Sequence, residues 1–170
     1  QVRRISARRP VRKMSKDIAG LVQTSLNLGI LSTIKPDDPS TNGMVSFKSS
    51  VRSSIGSEKA ALLYSLKSLA TLAGGTLTVT GDYPAWEYRE DSPLRDLMVK
   101  IFKQQYGKEP VIQALHAGVE CGIFASKLPG LDCVSFGPDM DDIHTTNESM
   151  NVESVRRTWE YTLEILKELK

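Results

Sequence analysis

The stretch Val22-Gln23-Thr24-Ser25-Leu26-Asn27-Leu28-Gly29-Ile30 sets Val22, Thr24, Leu26, Leu28 and Ile30 against Gln23, Ser25, Asn27 and Gly29 at a period of two. Successive side chains of a strand point to opposite faces, so this alternation predicts a half-buried β-strand. Working outward, Pro36-Asp37-Asp38-Pro39-Ser40-Thr41-Asn42-Gly43 is a turn-rich connection. Val45, Phe47, Ser49 and Val51 then alternate again, predicting a second strand antiparallel to the first. Over 57–73 the period changes. Leu62, Leu66, Leu69 and Ala73 form the stripe of an amphipathic helix, with Ser57 as N-cap, Glu58 in the first turn and Gly74-Gly75 closing the end. Leu77 and Val79 among Thr76, Thr78 and Thr80 predict a third strand. Strand, strand, helix and strand in this order read as an α+β sandwich, helices on one face of an antiparallel sheet, with one strand and one helix lacking before residue 18.

Beyond the break at Gly81-Asp82-Tyr83-Pro84-Ala85-Trp86 the pattern differs. Ser92-Pro93 offers an N-cap and a proline at the first helical position; Leu94, Leu97, Met98 and Ile101 supply an inner face, and Gly107 stops the helix. Val111–Leu115 reads as a buried strand, Gly118–Lys127 as a short helix and Cys133–Phe136 as another strand. Asn151 opens a last helix whose inward residues are predicted to be Val152, Val155, Trp159, Leu163 and Leu166. Helix, strand, helix, strand, helix is an α/β pattern that suggests a parallel pair within a larger sheet.

The bulk numbers suit a globular chain: 170 residues, 40% hydrophobic and 25% charged, enough for one domain or two small ones. Net charge is +2, yet seven of the 22 basic residues fall in residues 1–16 with no acid, leaving 15 basic against 20 acidic residues in the rest. This basic segment has no aromatic to stack on bases and Pro10 interrupts it, so it reads as a solvated or partner-facing arm rather than a nucleic-acid binder. Cys121 and Cys133 make no metal-binding CxxC pair and no disulfide framework. No apolar run approaches the ~20 residues of a membrane span. With no secretory leader either, the expectation is a cytoplasmic protein with neither nucleic acid nor membrane as partner. The chain lacks an initiator methionine and reads as the tail of a longer enzyme.

Its only two histidines, His116 and His144, stand near predicted strand ends among acids and glycines. Histidine is the commonest metal ligand and the natural proton carrier near neutral pH. His144 follows Asp139, Asp141 and Asp142 and precedes Glu148, which could supply the oxygen that orients a metal-bound imidazole. On spacing alone it also reads as a surface histidine. Ala117-Gly118 after His116 leads into a helix start whose amide hydrogens suit an anion, and Glu120 in the first turn suits a substrate amine or the helix dipole. A capped helix with a satisfied histidine is the alternative. Arg52, amid Ser49, Ser50, Ser53 and Ser54, could grip a carboxylate at two points or simply face solvent.

These residues carry a family resemblance. Met14-Ser15-Lys16-Asp17-Ile18, Gly20–Gly29, Val51-Arg52-Ser53-Ser54, Gly81–Trp86, His116-Ala117-Gly118-Val119-Glu120-Cys121-Gly122, Val134-Ser135-Phe136-Gly137-Pro138 and His144–Glu148 resemble, in order, the C-terminal part of the aminoacyl-histidine dipeptidases (peptidase D). That family belongs to the co-catalytic zinc peptidases, with the carnosinases, aminoacylases and glutamate carboxypeptidases. The resemblance implies an antiparallel-sheet lid and dimerisation domain, of which 1–83 is the later part (1–17 the basic connecting segment). It makes 84–170 the C-terminal portion of an α/β catalytic domain. It implies a cytoplasmic homodimer that hydrolyses dipeptides of the Xaa-His type with two divalent ions, zinc first, cobalt or manganese otherwise. His144 matches the metal-binding histidine of the family's C-terminal region. Arg52 matches a lid arginine that holds the substrate carboxylate, and His116, Gly118 and Glu120 match a substrate-binding turn. The general base and the other metal ligands are expected in an N-terminal part of the protein that precedes these residues. The family's usual Ser-Pro-Asp after the histidine is replaced by Thr145-Thr146-Asn147, and its Tyr-Pro-Gly-Trp by Tyr83-Pro84-Ala85-Trp86. Two rival expectations are a non-catalytic dimerisation fragment and a polyanion binder acting through residues 1–16.

Overall fold

The computed structural model describes residues 10–37, 42–114 and 120–170. Two compact units emerge, one formed by the chain up to Tyr88 together with Gln113–Ser126, the other by Arg89–Ile112 together with Lys127–Lys170.

The first unit is built on a three-stranded antiparallel sheet of order β1-β2-β3, with β1 at Val11–Met14, β2 at Val22–Ile34 and β3 at Met44–Ser53. Alternation places Thr24, Leu26 and Leu28 on one face, opposite Ser53, Val51 and Ser49 in the register. Leu26, at 2% exposure, is the best-buried side chain of that face. Ser25 pairs with Arg52 and Asn27 with Ser50, which makes the opposite face polar. The register slips between Leu28 and Ile30, at Gly29. Beyond that bulge Ile30, Leu31, Ile34, Met44, Val45 and Phe47 are all exposed.

Strand β1 corrects the expectation that no strand precedes residue 18. Arg12 and Lys13 masked it, because charged residues make a segment read as solvated arm. They are, however, also what an edge strand carries against unwanted pairing. Helix α1 spans Gly56–Leu72, as the apolar stripe predicted, but its N-cap is Ile55, not Ser57. The Gly56 amide donates instead to Glu87 Oε1 at 3.0 Å, and the Ile55 amide to Ser53 Oγ at 3.0 Å. Gly74 takes φ +73°, and the Gly75 amide closes the helix on Ala70 O at 2.8 Å.

Glu58 ties α1 to the sheet. Its carboxylate accepts from Lys13 Nζ, from Thr24 Oγ1 at 2.6 Å and from Gln23 Nε2 at 2.8 Å. Those donors, Lys13 first and then Thr24, hold its pKa down at about 2 from an ordinary 4.5. The third predicted strand, at 76–80, does not form. Alternating Thr, Leu and Val satisfy strand propensity, but propensity does not provide a neighbouring backbone to pair with.

In the second unit α2, Pro93–Tyr106, starts and stops where predicted. Ser92 Oγ accepts from the Arg95 amide at 3.2 Å, Pro93 occupies the first turn, and Gly107 ends the helix at φ +66°. Asp132 reinforces that start by accepting from Ser92 Oγ at 2.7 Å and the Leu94 amide at 3.0 Å. Burial alone would raise the Asp132 pKa, but these bonds, with Arg89 and Arg95 nearby, lower it on balance. The core joins Met98 and Ile101 of α2 to Tyr161 and Ile165 of the last helix, α4 (Val152–Glu168), with Leu94, Leu97, Phe102 and Val134 packed against it. Tyr161 donates its hydroxyl to Met98 O at 2.6 Å, and the ring of Phe136 meets it edge-on at 5.4 Å.

The face of α4 is a second correction. Ser154, Tyr161 and Ile165 are its buried residues, whereas the predicted inner stripe of Val152, Val155, Trp159, Leu163 and Leu166 is exposed, Trp159 at 62%. Helix α4 has two apolar faces, and the packing within this unit uses the less hydrophobic one. Neither 111–114 nor 133–136 forms a strand, so the expected parallel pair is not found among the described residues. Val134 packs against the core and Phe136, although exposed, keeps its ring against Tyr161, whereas Val111 and Ile112 are exposed without such a contact.

Candidate functional site

The chain returns to α4 through a short antiparallel hairpin, β4 (Met140–Asp141) against β5 (Ser149–Met150), with His144 in the loop between them. Asp142 and His144 are the non-glycine residues at positive φ among those described, at 51° and 68°. That region disfavours most L-residues, although Asp and His enter it more readily than others. The loop is held from within. The His144 amide donates to Glu148 Oε2 at 2.7 Å, Thr145 Oγ1 to Asp142 O at 2.7 Å, and the Asn147 amide to Thr145 Oγ1 at 3.1 Å. Glu148, expected as an imidazole partner, binds the main chain of His144.

The neck of the hairpin is fastened to the start of α4. Asn151 Oδ1 caps the helix by accepting from the Ser154 amide at 2.9 Å. The Asn151 amide donates to Asp139 O at 3.0 Å, and the Asp139 amide to Ser154 Oγ at 2.9 Å. Asp139 Oδ2 also meets Arg157 at 3.1 Å. The loop thus presents one exposed imidazole on a braced frame. No three His, Cys, Asp or Glu side chains gather to hold a metal among the described residues. Since catalytic zinc takes three protein ligands, the donors present fit one contributed ligand, not a complete centre.

Arg52 and Glu120 lie in the first unit. Arg52 is exposed on the polar face of β3 and forms no ion pair among the described residues. Glu120 is the exposed first residue of helix α3 (Glu120–Lys127). His116 and Gly118 lie outside the described residues. Helix α3 sits against the Pro84–Trp86 segment at Gly122, where a Cβ would stand 3.0 Å from Pro84 O and 3.4 Å from Trp86 Cβ. Sequence reasoning missed this contact, although a glycine inside a short helix is a signal of close approach. It also missed the neck, which the spacing Asn151-x-x-Ser154 hints at only as an ordinary cap.

Comparison with known proteins agrees with this architecture. The chain is 36% identical over 156 residues to the cytosol non-specific dipeptidase of Escherichia coli K12, which covers 91% of the chain and 31% of that protein. The crystal structure of aminoacylhistidine dipeptidase from Vibrio alginolyticus superposes with a TM-score of 0.80 at 33% identity, over 93% of the chain and 31% of that structure. Aminopeptidase PepT from Bacillus cereus shares the fold at a TM-score of 0.69 and 20% identity, over 92% of the chain and 42% of that structure. The chain therefore spans about a third of the length of the dipeptidases it matches. The family model of peptidase family M20/M25/M40 matches residues 12–168, and the chain belongs to that family.

Proposed function

We propose that this chain is the C-terminal part of a metal-dependent dipeptidase of the cytoplasm that cleaves dipeptides, Xaa-His among them. The observation that carries the reading is the match to the Vibrio alginolyticus aminoacylhistidine dipeptidase in fold and sequence over 93% of the chain. In this reading 1–83 belong to a lid domain and 84–170 to the catalytic domain. His144 holds one of two divalent ions, zinc with cobalt or manganese as alternatives. Bound ions of this kind supply an acidified water and a polarised carbonyl. The general base lies in a part of the protein outside these residues, so the 170 residues alone do not hydrolyse peptides.

The chain's own residues bind and orient. Arg52, which pairs with no carboxylate among the described residues, grips the free carboxylate of the dipeptide with two parallel N–H bonds. That fixes the far end of the substrate and converts binding into orientation at the scissile bond. Glu120, with His116 and Gly118 shortly before it in the sequence, receives the amino end. The exposed apolar Ile30, Leu31, Ile34, Met44, Val45 and Phe47, beside the edge of β3 that pairs with no strand among the described residues, favour a homodimer formed through the lid. The same surface favours a second reading, a non-catalytic dimerisation fragment. Metal content separates them. The full-length protein should bind two divalent ions and hydrolyse an Xaa-His dipeptide until a chelator removes them. His144→Ala should lose metal and activity together; retention of both would overturn the proposal.

A further inference from the structure

We infer that Ser154 is the positioning residue for His144, acting through the neck of the β4–β5 hairpin. This rests on the reading of His144 as a metal ligand. Ser154 is 3% exposed, and its one hydroxyl serves both ends of the loop: Oγ accepts from the Asp139 amide at 2.9 Å and donates to Asn151 O at 2.6 Å. Asp139 immediately precedes β4 and Asn151 immediately follows β5. The hydroxyl is therefore a rivet through the two strands where they leave the body of the unit, next to the direct bond from the Asn151 amide to Asp139 O at 3.0 Å.

Ordinary helix capping does not call for this. The Asn151 side chain already caps α4, so a serine at the third helical position is free for another task, and here its oxygen points back to Asp139. The hairpin itself has only two residue pairs, Met140 with Met150 and Asp141 with Ser149, and both methionines are exposed. So short a ladder gives little apolar burial, and the direction of the His144 loop depends on its neck. Without the hydroxyl, the Asp139 amide loses its partner, and the neck is left to the Asn151–Asp139 bond and the exposed Arg157–Asp139 ion pair, which hold the loop less firmly.

The experiment uses the full-length enzyme and reads metal, not turnover alone. Competition with a chelator gives the zinc dissociation constant of wild type, Ser154→Ala, Ser154→Thr, His144→Ala and Ile165→Val. The last loosens the α2–α4 core without touching the neck. Ser154→Ala should weaken zinc retention about tenfold, the lower end of the range for residues that orient a ligand. Ser154→Thr, which keeps the hydroxyl, should restore it, and Ile165→Val should bind zinc like wild type at a comparable drop in Tm. Wild-type zinc affinity in Ser154→Ala, alongside a loss in His144→Ala, overturns the role of Ser154 alone. Unchanged affinity in His144→Ala overturns the ligand reading and this inference with it. Should Ser154→Ala fail to fold, hydrogen exchange on the wild-type enzyme decides. The Asp139 amide should exchange slowly, like the core of α4, and exchange as fast as that of Ile143 would refute the rivet.

Discussion

Replacing Glu58 by Gln should destabilise the first unit at neutral pH and markedly less in acid. The carboxylate joins α1 to β1 and β2 through Lys13, Thr24 and Gln23, and its side chain is 24% exposed, within the partly shielded range. A folded pKa of about 2 against 4.5 means the native state prefers the ionised form. At about 1.4 kcal/mol per pKa unit this preference has a ceiling of about 3 kcal/mol. The partner Lys13 is 46% exposed, so solvent screening reduces the expected effect to about 1–2 kcal/mol. Because the folded pKa is depressed, the stabilisation is fully present above about pH 5 and lost as pH falls towards 2. The chain has two tryptophans, Trp86 in the first unit and Trp159 in the second, so a Trp159→Phe background lets Trp86 report on the first unit alone. Urea unfolding of that background, with and without Glu58→Gln, should differ by about 1–2 kcal/mol at pH 7 and by less than half of that at pH 3. A gap that is equal at both pH values would show that the ionised carboxylate is not what secures α1.

In the full-length enzyme, Arg52→Ala should lower kcat/KM for a free-carboxylate dipeptide about 10- to 100-fold, the value of charged hydrogen bonds worth about 1.5–3 kcal/mol, mainly through KM. An amidated dipeptide should show a much smaller change, and an equal loss for both would remove Arg52 from carboxylate binding. Gly122→Ala should lower Tm and shift Trp86 emission, because the new methyl meets the Pro84 carbonyl, which is backbone and cannot rotate away. Helix propensity alone would make alanine more stable by about 1 kcal/mol, so a raised Tm refutes the close contact. Tyr161→Phe keeps the aromatic cluster and deletes the bond to Met98 O; an unfolding free energy lower by about 1 kcal/mol is expected, and an unchanged one would deny that bond any weight.

The helices were legible because their signals are local. Ser92-Pro93 with Gly107, and Asn151 ahead of α4, are start and stop chemistry that no neighbour has to supply. The β2–β3 hairpin was legible for a related reason: both partners sit close in sequence and share one alternation. The segments at 76–80, 111–114 and 133–136 have the composition of strands and do not form them, since a strand is defined by the backbone beside it. Strand β1 failed in the opposite direction, carrying two charges where pattern reading asks for apolar residues. The candidate site divides similarly. His144 and Arg52 could be singled out by residue type and motif, because their chemistry belongs to the side chain. Ser154, Gly122 and Glu58 could not, because what they do depends on Asp139, Pro84 and Lys13 arriving beside them from elsewhere in the chain.

Helix α4 exposes the limit most clearly. Val152, Val155, Trp159, Leu163 and Leu166 follow helical spacing and make the stronger apolar stripe, yet Ser154, Tyr161 and Ile165 are the residues buried. At 100° per residue the two sets are centred about 140° apart, too far for one neighbour to cover both. A surface helix needs only one such face. Periodicity therefore located the stronger apolar stripe, but could not say that α2 would take the other face. The choice is made by partners outside the helix: the Met98 carbonyl that accepts from the Tyr161 hydroxyl, and the Asp139 amide that donates to Ser154 Oγ. Both bonds can form only with this face of α4 turned towards α2 and the neck of the hairpin. Polar residues thus set the rotation of α4, and with it the position of the hairpin that carries His144.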